Sequence, residues 1–153
     1  MSQHTAYFGQ RCYPNEQVLF KVAGQPRLVR TLSTFDWLLL GHLVGDWLLQ
    51  NDWMAKGKKR SLLTLPGTVH FTIYTTIIVG ALWLSGARDK DLGLFFVISA
   101  IVFVSHWLVD ATHLADLWMR FFRQSNLQWV RMVVDQTFHI LVLAVITYLV
   151  LIW

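Results

Sequence analysis

Charged side chains are scarce in this chain of 153 residues. Asp, Glu, Lys and Arg make up 14% of it, whereas ordinary soluble domains carry about 25%. No charged residue occurs in 62–86, 92–109 or 136–153. Uncharged apolar runs of about 18 residues or more are typical of transmembrane helices. A soluble fold would need three fully buried helices in one small domain, which its surface-to-volume ratio disfavours.

Several motifs of soluble enzymes are also absent. Cysteine occurs once, at Cys12, so the chain can form no internal disulfide and has no Cys-x-x-Cys motif. It has neither a phosphate-binding glycine loop nor a Gly-x-Ser-x-Gly sequence. We find no basic N-terminal segment followed by a short apolar run and a cleavage site, so we expect no cleaved signal peptide.

The apolar runs and the turn signals between them predict an all-α membrane protein. We expect a bundle of about four transmembrane helices in residues 33–153, preceded by a short polar N-terminal extension, residues 1–32. Ser33 or Thr34 is suited to cap the first helix, with Asp36 in its first turn. The predicted helices cover 34–54, 62–85, 92–119 and 130–153.

The N-terminal extension has the pattern of a β-hairpin. Residues 16–22 and 27–32 have strand-like composition, and the Ala-Gly-Gln-Pro segment at 23–26 is a turn signal. An isolated hairpin is only marginally stable in water. We see no catalytic motif in this extension.

The basic residues indicate contact with lipid rather than with nucleic acid. The net charge is +4 and the sequence pI is about 9.5, but the Lys and Arg residues stand in loops beside apolar helices, where they meet anionic headgroups. The loop around 56–60 has four of them and the loop over 120–131 has three, which favours both loops on the cytoplasmic side. Four more in the N-terminal extension argue for the opposite orientation.

His and Asp residues recur inside the apolar helices at a spacing of four, which places the two members of each pair on one helix face. Such groups are costly in a bilayer and commonly mark functional sites. All of them fall in helix ends next to the first or third loop, so we expect them at a common depth, in a single site. They are the pairs His42/Asp46, His106/Asp110 and Asp135/His139, with the single residue His70.

These side chains are the usual ligands of zinc, iron or manganese, and helical pairs commonly present them. Seven groups exceed the need of one tetrahedral ion, so they could hold two ions, or one ion with supporting groups around it. The candidate ligands are His42, Asp46, His70, His106, Asp110, Asp135 and His139. Candidates for substrate contact or for support of the ligands are Gln50, Asp52, His113 and Gln136.

Four separated motifs occur in one order: HLVGDWLLQNDWMAKGK from His42, His70 with Tyr74, HWLVD from His106 and DQTFH from Asp135. In these motifs the chain resembles a family of uncharacterised bacterial integral membrane proteins, a domain of unknown function (DUF3307), over about residues 36–150. The resemblance implies a multi-pass protein of the bacterial inner (cytoplasmic) membrane or another internal membrane, with no established activity.

Carried over position by position, the family pattern covers the seven candidate ligands with Gln50, Asp52 and Gln136. The family has a Lys near this position, so His113 departs from the family pattern. The His/Asp pattern is more distantly similar to membrane-bound metal-dependent hydrolases, which is an analogy only.

Several functions fit the pattern. A metal ion with an open coordination position would activate water for hydrolysis at the membrane face. Alternatively, the His–Asp pairs only fix helix packing, as interhelical hydrogen bonds do, in a structural or accessory subunit. Proton or ion transport uses similar Asp/His chains, and one or two histidines could bind haem or a pigment. A homo-oligomer or a larger membrane complex is compatible with each.

Overall fold

The computed structural model describes two paired strands, 19–22 and 25–28, and residues 32–58, 61–124 and 127–153. The chain divides into two units, Met1–Thr31 and Leu32–Trp153. In the first unit, strands β1 (Leu19–Val22) and β2 (Gln25–Leu28) pair antiparallel, with Leu19 opposite Leu28. The other residues predicted for the hairpin, 16–18, 23–24 and 29–31, lie outside the described residues.

The second unit is helical, as predicted, and Ser33 caps its first helix by accepting from the backbone N–H of Asp36. A π-helical turn, Val44–Leu48, continues this first helix, and a short 3₁₀ turn, Ala87–Asp89, precedes the fourth. The helices are α1 (Thr34–Leu43), α2 (Asp52–Gly57), α3 (Leu65–Leu84), α4 (Leu92–Ala111), α5 (Leu114–Phe121) and α6 (Gln128–Ile152).

Three of the described helices, α3, α4 and α6, are long and apolar enough to cross a membrane. Only 39%, 28% and 22% of their most apolar stretches are buried inside the fold. Their outward faces carry exposed apolar side chains such as Phe96 and Leu151. Helices buried in a soluble domain would hide these faces, so this pattern favours contact with lipid.

Two predicted helix boundaries are wrong. The helix predicted over 34–54 ends at Leu48, because Asn51 caps a new helix by accepting from the backbone N–H of Met54 at 3.0 Å. The helix predicted over 92–119 ends at Ala111, because His113 adopts a left-handed conformation with φ 54° and α5 starts after it. The first helix is therefore too short to count among the candidate spans.

α3 is the central helix of this unit and packs against α1, α2 and α4. α6 packs against α1, α4 and α5. Close contact between α1 and α3 depends on two glycines: a Cβ at Gly41 would lie 2.9 Å from the Cβ of Ala81, and one at Gly45 would lie 3.0 Å from the Tyr74 ring. The buried core between these helices is apolar and includes Leu38, Ile78, Ile98, Leu143 and Ile146.

Candidate metal centre

Four buried side chains from three elements converge at one end of this core. Asp46 comes from the π-helical turn, His70 from α3, and His106 and Asp110 from successive turns of α4. The π-helical turn adds a residue to one turn of helix, a distortion frequently found at functional sites. Each of the four offers one potential ligand atom, and these atoms all lie within 4.8 Å of one another.

The distances between these atoms are close to those of a tetrahedral metal site. The Nε2 atoms of His70 and His106 are 2.9 Å apart. Asp46 Oδ1 lies 3.3 Å from His70 Nε2 and 4.0 Å from His106 Nε2, and Asp110 Oδ2 lies 3.4 Å from both. Ligands bound tetrahedrally to zinc at their usual bond lengths stand about 3.3 Å apart. These five distances are compatible with one ion bound by all four side chains.

The Asp46 carboxylate is fixed with one oxygen turned into the cluster. Its Oδ2 accepts from Gln136 Nε2 at 3.0 Å. Its Oδ1 is buried and has no hydrogen-bond partner among the described residues, although His70 Nε2 is close. An unpartnered buried carboxylate oxygen is costly. A cation at the centre of the cluster would satisfy it.

Lys58 places a positive charge beside the cluster. This residue was not among those predicted for the site. Its ammonium is buried, 2.5 Å from Asp110 Oδ2, 3.7 Å from Asp46 Oδ1 and 3.4 Å from His70 Nε2. It therefore covers the side of the cluster formed by those three residues. Lys58 is one of four basic residues in the loop around 56–60, and nothing in their number or order distinguishes it from the others. The only available signal was that Lys58 ends the first matching motif.

A chain of hydrogen bonds connects the cluster to a second layer. Gln136 turns its amide nitrogen to Asp46, so its Oε1 accepts from His42 Nε2 at 2.8 Å. His42 Nδ1 then accepts from the Tyr74 hydroxyl at 3.0 Å. His42 and Gln136 thus hold Asp46 in place and do not themselves reach the group of four.

Tyr74 orients the ring of His106. The two rings are stacked, with centroids 3.7 Å apart and an angle of 2° between their planes. His139 packs edge-on against the same histidine at 4.6 Å. The signal for Tyr74 in the sequence is its position four residues after His70, on the same helix face.

The other predicted residues lie around the cluster or away from it. His139 Nδ1 donates to the backbone carbonyl of Asp135 at 2.9 Å, so that pair has no side-chain contact of the predicted kind. Asp135 and Gln50 line a cleft beside the cluster. His113 is exposed and lies 3.4 Å from Asp116.

Asp52 lies outside the site. Its side chain is 89% exposed and accepts from Lys56 at 2.8 Å, which lowers the pKa of the carboxyl. Both residues of this exposed ion pair lie on helix α2. Lys58, one residue after the end of α2, is buried.

The cluster can be reached from one side. A cleft of about 210 Å³ touches Asp46, Lys58 and Asp110. On the other side the apolar core of Ile78, Ile98 and Ile146 adjoins the histidines. The 2.9 Å between the Nε2 atoms of His70 and His106 is too short for these two histidines to bind one haem iron from opposite faces.

The fold and the cluster together define the chain as a helical membrane protein with a buried His/Asp group that could hold a metal ion. The chain belongs to the family of proteins of unknown function DUF3307, whose model matches residues 34–153. The resemblance seen in the sequence motifs is thus confirmed. No curated protein and no solved structure matches the chain.

Proposed function

We propose that Asp46, His70, His106 and Asp110 bind one divalent metal ion inside the membrane domain. The observation that carries this proposal is the spacing of their ligand atoms, from 2.9 to 4.0 Å in the five measured pairs. The donor set of two imidazoles and two carboxylates suits zinc, iron or manganese. The inward oxygen of Asp46, which accepts no hydrogen bond from the described residues, adds support.

The proposed activity is metal-dependent hydrolysis of a substrate at the membrane face. Four protein ligands would fill a tetrahedral zinc site, whereas iron or manganese accept further ligands and leave a position for water. The ion would lower the pKa of that water and make it a nucleophile. The cleft beside Asp46 and Asp110 would admit both water and substrate.

The proposed setting is the bacterial cytoplasmic membrane, with the cluster in the leaflet next to the basic loops. The lipid bilayer is the first partner, and a homo-oligomer or a larger membrane complex is compatible with the exposed apolar faces. We expect no nucleic-acid partner, because the basic residues flank apolar helices.

The second candidate is a purely structural ion network in an accessory membrane subunit. The observation in its favour is Lys58, whose ammonium already lies 2.5 Å from Asp110. Removing one member of such a buried network is strongly destabilising whether or not it has a function. The two candidates differ in one measurable respect, which is whether a metal ion occupies the cluster.

Metal analysis of the purified full chain, prepared without chelators, separates the two candidates. The metal proposal predicts about one ion per chain in the wild type and loss of the ion in His106→Gln. The matched control is His113→Gln, which changes an exposed histidine outside the cluster and should keep the ion. A wild type without stoichiometric metal, after incubation with zinc, iron or manganese, would favour the structural network.

A further inference from the structure

A groove of about 910 Å³ lies beside α5 and the start of α6. It reaches the proposed metal centre at Asp110. Its walls include the apolar side chains of Val109, Leu127, Trp129 and Met132. Polar side chains also line it, among them Asp110 and Asp135 beside the cluster and Arg131 at its other side. A groove lined by both apolar and polar side chains suits an amphiphilic molecule.

A basic pocket of about 340 Å³ adjoins the groove and shares Asp116 and Arg131 with it. Three arginines line this pocket, and Asp116 is its single acidic residue, so the pocket has an excess of positive charge. Asp116 Oδ1 lies 2.7 Å from Arg131 Nε. For Arg120 and Arg123, no ion pair is found within 32–58, 61–124 and 127–153. Two arginine side chains thus remain available to an anion.

The position of α5 places this pocket at the level of lipid headgroups. Leu117, Trp118 and Phe121 on this helix are exposed, whereas Ala115 and Met119 are buried against the fold. A short helix with exposed apolar side chains next to a membrane-spanning helix lies along the membrane interface. Arginines beside such a helix stand where lipid phosphates lie.

We propose that the basic pocket and the groove form a binding site for an anionic phospholipid. The phosphate binds to Arg120 and Arg123, and a hydrocarbon chain lies against Trp129 and Met132 in the groove. Arginine is suited to this because its planar guanidinium makes paired hydrogen bonds to phosphate. The lipid site shares Asp110 with the cluster but none of its histidines, and the proposal depends on the arginines and the groove rather than on a bound metal.

The test uses the full chain in a zwitterionic detergent and a soluble short-chain phosphatidylglycerol, with binding followed by calorimetry. We expect the double variant Arg120→Gln/Arg123→Gln to bind this lipid about tenfold more weakly or worse, because charge-assisted bonds to its phosphate are lost. Lys56→Gln is the matched control, since it removes one positive charge from an exposed side chain outside the pocket. This control should bind as the wild type does.

Two further ligands test which part of the lipid is recognised. Short-chain phosphatidylcholine should bind more weakly than phosphatidylglycerol, because it has no net negative charge. Inorganic phosphate should also bind more weakly, because it cannot use the groove. Equal binding of phosphatidylcholine would contradict recognition of the anion, and equal binding of inorganic phosphate would contradict the lipid as occupant.

One variant separates this proposal from the metal site. His106→Gln removes a proposed metal ligand but no residue of the groove or the basic pocket. We expect it to bind phosphatidylglycerol as the wild type does, whatever its metal content. Loss of lipid binding in a folded His106→Gln protein, or an equal loss in Lys56→Gln, would overturn the proposal.

Discussion

Lys58 determines the balance of charge in the cluster. Two buried carboxylates, Asp46 and Asp110, need a positive charge near them, and the Lys58 ammonium supplies it. A metal ion would supply the same charge at closer range. The lysine and the ion therefore compete electrostatically for one pair of carboxylates.

We predict that Lys58→Met binds zinc or manganese at least about tenfold more tightly than the wild type, because the ion no longer meets a neighbouring ammonium. The same change should destabilise the metal-free protein by about 3–5 kcal/mol, since it leaves buried carboxylates without their partner. Metal titration and thermal unfolding of the detergent-solubilised protein measure the two effects.

The control for this prediction is Lys56→Met, which removes an exposed lysine two positions away and should change neither quantity noticeably. Weaker metal binding in Lys58→Met than in the wild type would show that the lysine supports the ion rather than competing with it. That result would contradict the electrostatic argument.

Gln136 is predicted to act on the metal through Asp46. Its amide connects His42 Nε2 at 2.8 Å to Asp46 Oδ2 at 3.0 Å. Gln136→Leu removes both hydrogen bonds, and we expect metal affinity to fall about 10- to 100-fold, as it does when groups that orient ligands are lost. Gln128→Leu, an exposed glutamine at the start of α6, is the control, and unchanged affinity in Gln136→Leu would contradict the role of this chain of bonds.

For single residues, the sequence predicts the recurrence of His and Asp at helical spacing. It did not reveal which groups meet, because the spacing pairs Asp46 with His42 on its own helix, whereas the Asp46 carboxylate lies 3.3 Å from His70 Nε2 of another helix. Neither could it reveal Lys58, since a basic residue after a helix is ordinarily solvated.

At the scale of elements, the long apolar helices were the most predictable. The helices expected over 62–85 and 130–153 begin and end within three residues of α3 and α6. The two interruptions were not predicted. The π-helical turn that carries Asp46 and the left-handed His113 are backbone conformations stabilised by surrounding contacts, which local composition does not encode.

The contact between α1 and α3 gives a prediction at this scale. Gly41→Ala would bring a methyl group to 2.9 Å from the Cβ of Ala81, and we expect a loss of about 1–3 kcal/mol in the free energy of unfolding. Gly80→Ala is the control, because its Cβ would meet nothing within 4 Å and alanine favours a helix. Thermal unfolding in one detergent compares the two.

The opposite ranking of these two variants would contradict the close approach of the helices. Equal stability of Gly41→Ala and the wild type would do the same, since α1 could then move away from α3 without cost. The predicted difference depends on packing alone, because both glycines lie inside helices.

At the scale of the whole molecule, three spanning helices determine which loops share a membrane side. If α3, α4 and α6 cross in turn, the loop before α3 and the loop after α4 lie on one side, and the turn between α3 and α4 lies on the other. The Lys and Arg residues of the two loops favour the cytoplasm for the first of these sides, whereas those of the N-terminal extension argue for the opposite orientation of a four-span bundle.

Cysteine labelling tests this arrangement. In a Cys12→Ser background, Ser61→Cys and Gln124→Cys should react with a membrane-impermeant maleimide from one side, and Lys90→Cys only from the other. These three positions lie in turns between helices. Labelling of Ser61→Cys and Gln124→Cys from opposite sides would contradict a common side for the two loops that flank the cluster.

The proposed metal centre holds one divalent ion by two imidazoles and two carboxylates in the membrane domain. X-ray absorption spectroscopy of the metal-loaded full chain tests it most directly. We predict a first shell of nitrogen and oxygen at about 2.0–2.2 Å, with the outer-shell scattering of two imidazoles, and loss of one imidazole in His106→Gln. A bound ion without imidazole scattering, or the same spectrum in His106→Gln, would contradict the claim.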